Sequence, residues 1–213
     1  MRIITIAARK GGVGKTTLAA HLSVLASVGG PTLLLDTDPQ HSLAWWWRLR
    51  PSEVPALVEC KASDLRKVLD AARDEKIATV IIDTPPHAEN SILDAMRVAD
   101  LVIVPTRPGP FDLAAVASTF DLAKSIGASP LAVINHAPPQ TGASEPTIIT
   151  EAREALRLLG ADVAAASIAQ RVALSHAIIT GQTVGEYDPE GRAAREIDAL
   201  WREISKIKRK APR

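Results

Sequence analysis

Short apolar runs alternate with stretches of helical periodicity along most of this chain of 213 residues. Continuous apolar strands separated by helices are typical of a parallel sheet that is covered by helices on both faces. Connections between parallel strands are right-handed. The alternation therefore predicts an α/β fold with a doubly wound, mostly parallel sheet, and the length fits one domain over residues 1–213.

The predicted elements follow one another in a regular order. The strands are expected at 3–8, 32–35, 79–82, 101–104, 131–134 and 163–168. Helices are expected at 15–28, 63–75 (with Ser63 as N-cap), 91–98, 111–126 and 151–159, and further helices continue to Lys208. Ligands of such sheets bind at the carboxyl ends of the strands, so functional side chains are expected there.

Composition excludes several other classes of protein. Hydrophobic residues make up 46% of the chain and charged residues 23%, which excludes wholesale disorder and coiled coil. Cys60 is the single cysteine, so an intrachain disulfide is impossible, as suits a reducing cytoplasm. No apolar run reaches the length of a membrane span, and the first residues lack the apolar core of a signal peptide. We therefore expect a cytoplasmic protein.

Basic residues are concentrated in a predicted terminal helix and tail, about 191–213. Residues 192–213 carry eight basic and three acidic side chains, a net charge of +5, whereas the whole chain has +1. Either a solvated surface or a surface for an anionic partner accounts for this asymmetry.

A glycine-rich run connects the first predicted strand to the first predicted helix. Glycines let several backbone N–H groups face one concavity, and the next helix adds its positive N-terminal end. Lys15 can reach the β- and γ-phosphates of a nucleotide, and the Thr16 hydroxyl can ligate Mg²⁺. The predicted phosphate loop consists of Lys10, Gly11, Gly12, Val13, Gly14, Lys15, Thr16 and Thr17.

This loop departs from the ordinary pattern G-x-x-x-x-G-K-[ST]. Arg9 occupies the first glycine position, and Lys10 follows it. A second lysine this close to the phosphates needs negative charge nearby. In a monomer it could point to solvent, whereas in a symmetric dimer it could reach the partner's nucleotide.

Two further predicted strands end in aspartate. Asp36 opens the run Asp-Thr-Asp-Pro-Gln, and Asp83 opens Asp-Thr-Pro-Pro. An apolar strand that ends in Asp is how phosphate-loop enzymes bring a carboxylate to the Mg²⁺ shell. Each run alone is a weak signal, but the three motifs in this order are highly specific.

These motifs resemble the ParA/MinD family of deviant Walker A ATPases. Lys10 matches the signature lysine of the family, residues 36–40 match its D-x-D-P-Q segment, and residues 82–86 match its Walker B region. Residues 168–177 are similar, imperfectly, to I-P-R-N-V-x-L-x-E-A, and residues 181–189 to G-x-P-V-x-x-Y-D-P. The Pro-rich segment Val104–Asp112 is most similar to that of small partition ATPases of the ParF kind.

The resemblance implies an Mg²⁺-dependent ATPase. Asp38 is expected to orient the attacking water, although capping the next helix is an alternative role. Asp36 and Asp83, with Thr16, are expected to hold Mg²⁺. Lys15 and the signature lysine would neutralise charge on the γ-phosphoryl group.

Two further sites are less clearly defined by the sequence. Asn135 ends a strand, and its amide could pair with the adenine edge or satisfy a turn. Neighbouring residues on a helix point about 100° apart, so Trp45, Trp46 and Trp47 cannot all face one core. We expect at least one to be exposed or buried in a partner, the alternative being that all three pack within the chain.

The resemblance also implies a cycle of association. ATP would drive homodimerisation, the dimer would bind nonspecific DNA on the nucleoid, and a partner protein of the ParB type would stimulate hydrolysis. The cargo would be a plasmid, a chromosome origin or another body. The candidate DNA-binding residues are Arg171, Arg195, Arg202, Lys206 and Lys208.

Two other functions remain open at this point. A MinD-like ATPase at a membrane surface is the main alternative, but the tail 208–213 offers no large apolar residue to insert. A metal-cluster carrier of the same superfamily is disfavoured, because a bridging cluster needs a pair of thiolates.

Overall fold

The computed structural model of the protein describes residues 1–128, 130–142 and 144–207. The strands in these ranges are β1 (Arg2–Ile6), β2 (Thr32–Asp36), β3 (Ala56–Glu59), β4 (Thr79–Asp83), β5 (Leu101–Thr106), β6 (Pro130–Ile134) and β7 (Asp162–Val163). Within the described part of the chain they form one sheet in the order β3-β2-β4-β1-β5-β6-β7, and all the pairings are parallel.

Helices that connect the strands or follow β7 cover both faces of this sheet. They are α1 (Lys15–Val28), α2 (Ser42–Arg48), α3 (Leu65–Asp74), α4 (Glu89–Val98), α5 (Pro110–Ser125), α6 (Thr147–Leu158), α7 (Val172–Ile179), α8 (Val184–Tyr187) and α9 (Arg192–Lys206).

Successive strand residues point to opposite faces, and the core divides accordingly. Ile4 of β1 packs with residues of α1, α2, α7 and α9. Its neighbour Ile3 packs on the other side with residues of α3 and α4, and Val104 packs there with α5 and α6. The predicted doubly wound α/β fold is therefore confirmed.

Two of the predicted elements are wrong in detail. The strand expected at 163–168 shrinks to Asp162–Val163. The Ala164 N–H still bonds β6, but Glu203 accepts the N–H groups of Ala165 and Ala166, and Arg153 donates to the carbonyls of residues 164 and 165. Ser63 is not an N-cap, since a 3₁₀ turn over Ala62–Asp64 leads into α3 and makes no side-chain capping bond.

Other elements escaped the prediction because their patterns are weak. The edge strand β3 is mostly exposed and lacks a long apolar run. α2 contains three adjacent tryptophans, which hide its helical periodicity. α6, by contrast, was predicted, but it begins at Thr147, four residues before the expected start at 151.

The tryptophans of α2 have three different environments. Trp45 is 52% exposed, Trp46 is buried, and Trp47 is partly buried. The Trp46 indole N–H donates to the Gln182 carbonyl over 3.1 Å, and the guanidinium of Arg50 lies 4.9 Å from the Trp46 ring centroid. The prediction that at least one is exposed is confirmed.

The terminal helix α9 docks through its apolar side. Ile197, Leu200 and Ile204 are buried against the sheet, whereas Arg195 and Lys206 are exposed. Lys208 lies outside the described residues. Among the helices that the structure describes, none combines the length and the hydrophobicity that crossing a bilayer requires.

His21 of α1 predicts a pH dependence of stability. Its Nδ1–H donates to the Thr17 carbonyl over 2.7 Å, and complete burial lowers its pKa to about 4 from 6.5. Because only the unfolded chain accepts the proton easily, stability is fully present above pH 6.5 and is lost as the pH falls toward 4. Denaturant unfolding measures the free energy of unfolding at pH 7.5 and at pH 4.5. Between these two values His21→Phe should lose about 2 kcal/mol less of this free energy than the wild type does. Equal losses in both proteins would contradict this.

Candidate nucleotide-binding site

The three sequence motifs meet at the carboxyl edge of the sheet. β4 lies between β1 and β2, and its terminal residue Asp83 pairs in register with Ile6 of β1 and with Asp36 of β2. The phosphate loop leaves β1 at this edge, so strand order alone brings the loop and both aspartates together.

Glycine is required at two positions of the loop. Gly12 has φ 70° and Gly14 has φ 91°, a region that other residues rarely adopt. A Cβ atom on Gly14 would lie 2.1 Å from the amide nitrogen of Asn135. The loop therefore keeps its tight curve only with glycine at this point, immediately before α1.

The side chain of Lys15 is buried inside the loop. Its Nζ donates to the Lys10 carbonyl over 3.4 Å. Burial lowers the pKa of Lys15, while the negative charges of Asp83 and Asp38 oppose this shift. A buried ammonium group with one long hydrogen bond is well placed to receive a phosphate oxygen.

Thr16 and Asp83 have the chemistry of a magnesium site. The Thr16 hydroxyl donates to Asp83 Oδ2 over 2.7 Å, and the buried Oδ1 atom has no hydrogen-bond partner among the described residues. Burial raises the pKa of Asp83 to about 7, with the Thr16 hydrogen bond opposing the shift and the charge of Asp36 adding to it. A divalent cation would balance this carboxylate, and Mg²⁺ prefers such oxygen ligands. The residues present therefore fit Mg²⁺.

Asp36 is engaged by backbone groups. Its two oxygens accept the N–H groups of Asp38, over 3.0 Å, and of Ala44, over 2.9 Å. Burial raises the pKa of Asp36 despite these hydrogen bonds. Asp36 thus ties the D-x-D-P-Q segment and the start of α2 to the sheet. That Asp36 also helps to hold Mg²⁺ stays a prediction.

Asp38 lines a cleft of about 510 Å³ together with Lys15, Thr16 and Trp45. It is half-buried, and its Oδ1 accepts the Gln40 N–H over 3.0 Å. The residue at the cap position of α2 is His41, so Asp38 does not have the alternative role of helix cap. Its position in the cleft is compatible with orienting a water molecule.

Lys10 has a carboxylate partner in its own chain. Its Nζ lies 2.7 Å from Asp112 Oδ1 on α5, and its side chain is 38% exposed. The contact lacks hydrogen-bond geometry, since that oxygen has no hydrogen-bond donor within the described residues. From sequence, Lys10 was expected to face either solvent or a partner's nucleotide. A carboxylate of the same chain was not considered.

Asn135 contacts the phosphate loop. Its buried Nδ2 donates to the Val13 carbonyl over 2.8 Å. It also lines a pocket of about 280 Å³ with Thr17, Leu174 and Ile179. Pairing with adenine in this pocket stays a prediction.

Arg107 was missed by the sequence reasoning, although it lies within the Pro-rich segment singled out there. It directly follows β5, and its Nη2 donates to the Gly12 carbonyl over 2.6 Å. Nothing in the residue pattern signals this contact, because it depends on β5 lying beside β1 in the sheet.

The candidate DNA-binding residues do not form one uniform surface. Arg171 is half-buried and pairs with Glu196 over 2.6 Å, and the exposed Arg202 pairs with Asp198 on the preceding turn of α9. Arg171 and Arg195, with Arg192, line a crevice of about 370 Å³ beside residues 140–142. Arg192 is a further basic residue that the sequence reasoning did not select.

Residues 4–184 match the family described as the CobQ/CobB/MinD/ParA nucleotide binding domain. The chain belongs to this family. The predicted ParA/MinD relationship is confirmed.

Curated relatives and solved structures agree with this membership. The protein is 30% identical to the "Maintenance of carboxysome distribution protein A" of Gloeobacter kilaueensis, over 96% of this chain and 92% of that protein. It is also 30% identical to the "Chromosome-partitioning ATPase Soj" of Thermus thermophilus, over 55% of this chain and 59% of that protein. The cell division ATPase MinD of Pyrococcus furiosus has the same fold, with a TM-score of 0.77, 24% identity and 97% and 99% of the two chains covered.

Replacing Lys15 tests the phosphate site of this ParA/MinD-family protein. Lys15→Ala removes the buried ammonium, so calorimetric affinity for ATP and ADP should fall by about 100-fold or more. The exposed Lys67→Ala on α3 is the matched control and should bind as the wild type does. Unchanged affinity in Lys15→Ala would contradict the site.

Proposed function

We propose that residues 1–213 form one Mg²⁺-dependent ATPase domain that hydrolyses ATP to ADP and phosphate. The observation that carries the proposal is the buried Asp83: one of its oxygens accepts the Thr16 hydroxyl of the phosphate loop, and the other has no hydrogen-bond partner in the part of the chain that the structure describes. The glycine loop and the N-terminus of α1 would hold the phosphates. Bound Mg²⁺ would supply charge neutralisation at the phosphate oxygens.

Hydrolysis requires mainly orientation and charge neutralisation from the chain itself. Asp38 faces the cleft beside Lys15, where it would hold the attacking water. The Lys15 ammonium would neutralise charge on the γ-phosphoryl group. Asp36 would keep Asp38 in place through the backbone N–H of that residue.

Asp38→Ala should separate binding from turnover. The variant keeps the loop and Lys15, so ATP affinity should stay within about threefold, while hydrolysis should slow by about 100-fold because the water loses its positioning group. Phosphate release and calorimetry measure the two effects, with the exposed Asp70→Ala as the control. Wild-type turnover in Asp38→Ala would remove it from this role.

We further propose that ATP drives homodimerisation around the cleft. Large apolar side chains are exposed beside the cleft and its neighbouring pockets, with Trp45 at 52%, Val172 at 70% and Ile179 at 64%. Apolar surface gathered around a charged site is typical of an interface. Two nucleotides facing each other would also need added cations, which Lys10 of each subunit would supply.

Lys10→Ala should bind ATP as a monomer yet form no dimer with a non-hydrolysable ATP analogue. Asp112→Ala, which frees the same lysine from its carboxylate, should still dimerise. Light scattering coupled to size-exclusion chromatography measures both variants. A dimer of Lys10→Ala as stable as that of the wild type would contradict the role of Lys10.

The dimer would bind DNA without sequence preference and position a cargo with a partner protein of the ParB type. Relatives named for carboxysome distribution and for chromosome partitioning support cargo positioning as the shared activity. The crevice beside α9 carries three arginines and one glutamate, which suits a phosphate backbone. Because the dimer would bind DNA without sequence preference, we also propose that it associates with the nucleoid.

Reversing two charges on α9 tests DNA binding. Arg195→Glu combined with Arg202→Glu should weaken retention of two unrelated duplexes by at least about tenfold. The control reverses Arg73 and Arg97, which lie on α3 and α4. Wild-type affinity should fall with salt at a log–log slope of about −0.9 per neutralised phosphate. Retention that is equal with ADP and ATP, or confined to one duplex, would contradict the proposal.

The MinD-like alternative makes a different prediction, namely ATP-dependent flotation with anionic vesicles. Burial of Ile197, Leu200 and Ile204 in the core argues against α9 as the element that would insert into the membrane. A metal-cluster carrier has less support, since burial raises the pKa of the lone Cys60 to about 11 and keeps the thiol protonated at neutral pH.

A further inference from the structure

Arg107 stands out among the cations around the phosphate loop. Arg9 pairs with Glu89 over 3.3 Å, Lys10 pairs with Asp112, and Lys15 is buried inside the loop. Within the described ranges, Arg107 makes no ion pair. Its guanidinium is exposed, and it donates over 2.6 Å to a backbone carbonyl, that of Gly12.

This contact determines the orientation of one peptide unit of the loop. The Gly12 carbonyl and the Val13 N–H belong to the same planar trans peptide, so they point in opposite directions. An arginine that holds the carbonyl on one side therefore turns the Val13 N–H to the other side. Gly12, at φ 70°, has no Cβ to resist this orientation.

A second side chain acts in the same way on the next peptide unit. The buried Nδ2 of Asn135 donates to the Val13 carbonyl over 2.8 Å, and that carbonyl shares its peptide with the Gly14 N–H. Two successive peptides are thus held from the ends of two neighbouring strands, β5 for Arg107 and β6 for Asn135. Successive backbone N–H groups that face one concavity are what an anion-binding nest requires.

We propose that Arg107 is a positioning residue of the phosphate loop, which acts with Asn135 to hold two successive loop amides ready for phosphate before a nucleotide arrives. Arg107 would affect nucleotide binding by holding the loop, without contacting the nucleotide itself. The inference rests on the proposed use of this loop, but its first consequence concerns the nucleotide-free protein. Because ADP and ATP would both use the same amides, Arg107 should support both equally.

Arg107→Met keeps the length of the apolar stem and removes the donors. Millisecond hydrogen exchange of the nucleotide-free protein should show faster exchange in the peptide covering residues 9–17. Affinity for ADP and for ATP should then fall by similar factors, about tenfold each, since one hydrogen bond from a charged donor is lost. Arg107→Lys, which retains a charged donor, should recover part of both effects.

Arg97→Met is the matched control, because Arg97 is an exposed arginine on α4 that pairs with Asp94. It should leave exchange in residues 9–17 and both affinities unchanged. Unaltered loop exchange in Arg107→Met would overturn the proposal, as would faster exchange with normal ADP affinity. A loss confined to ATP would also overturn it, since it would indicate direct contact with the γ-phosphate. If the wild type bound no nucleotide, the proposed function would fail, while the exchange experiment would still decide the role of Arg107.

Discussion

The hydrogen bond from the Thr16 hydroxyl to Asp83 joins the phosphate loop to the centre of the sheet. It links the first turn of α1 to the end of β4, and the rest of the site depends on this junction. Burial at this junction also raises the pKa of Asp83, and one of its oxygens has no hydrogen-bond partner among the residues that the structure describes. This buried oxygen lies next to the one that accepts the Thr16 hydroxyl, where a divalent cation could bind both side chains.

Other charged groups around the junction are held by partners within the chain. Asp36 is bonded by two backbone N–H groups, Lys10 faces Asp112, and Arg107 holds a loop carbonyl. Contacts within the chain thus organise the site, with the phosphate loop curved and the D-x-D-P-Q segment bonded to the end of β2. On the proposed role of Lys10, dimerisation would exchange its contact with Asp112 for contact with the partner's phosphates.

Much of this arrangement was predictable from sequence because its signals are local. Apolar runs that end in Asp36 and Asp83 identify buried parallel strands and their functional ends, and the glycines before Lys15 identify the loop. The contacts of Arg107 and Asn135 were not predictable, since they depend on which strands lie beside β1 and on how far a side chain reaches across the edge. The length of β7 was overestimated for a similar reason. The residues after Val163 have the sequence pattern of a strand, but Arg153 and Glu203 form hydrogen bonds with their backbone.

Asp83 and Thr16 are proposed to form the metal-binding corner of a nucleotide site. The most direct test of this proposal is the anomalous difference density of Mn²⁺, substituted for Mg²⁺, in a crystal grown with a non-hydrolysable ATP analogue. We predict a single strong peak next to the Thr16 hydroxyl, on the side of the unpartnered Asp83 oxygen and in contact with the phosphates. A peak elsewhere, or bound nucleotide with no metal at this corner, would contradict the account.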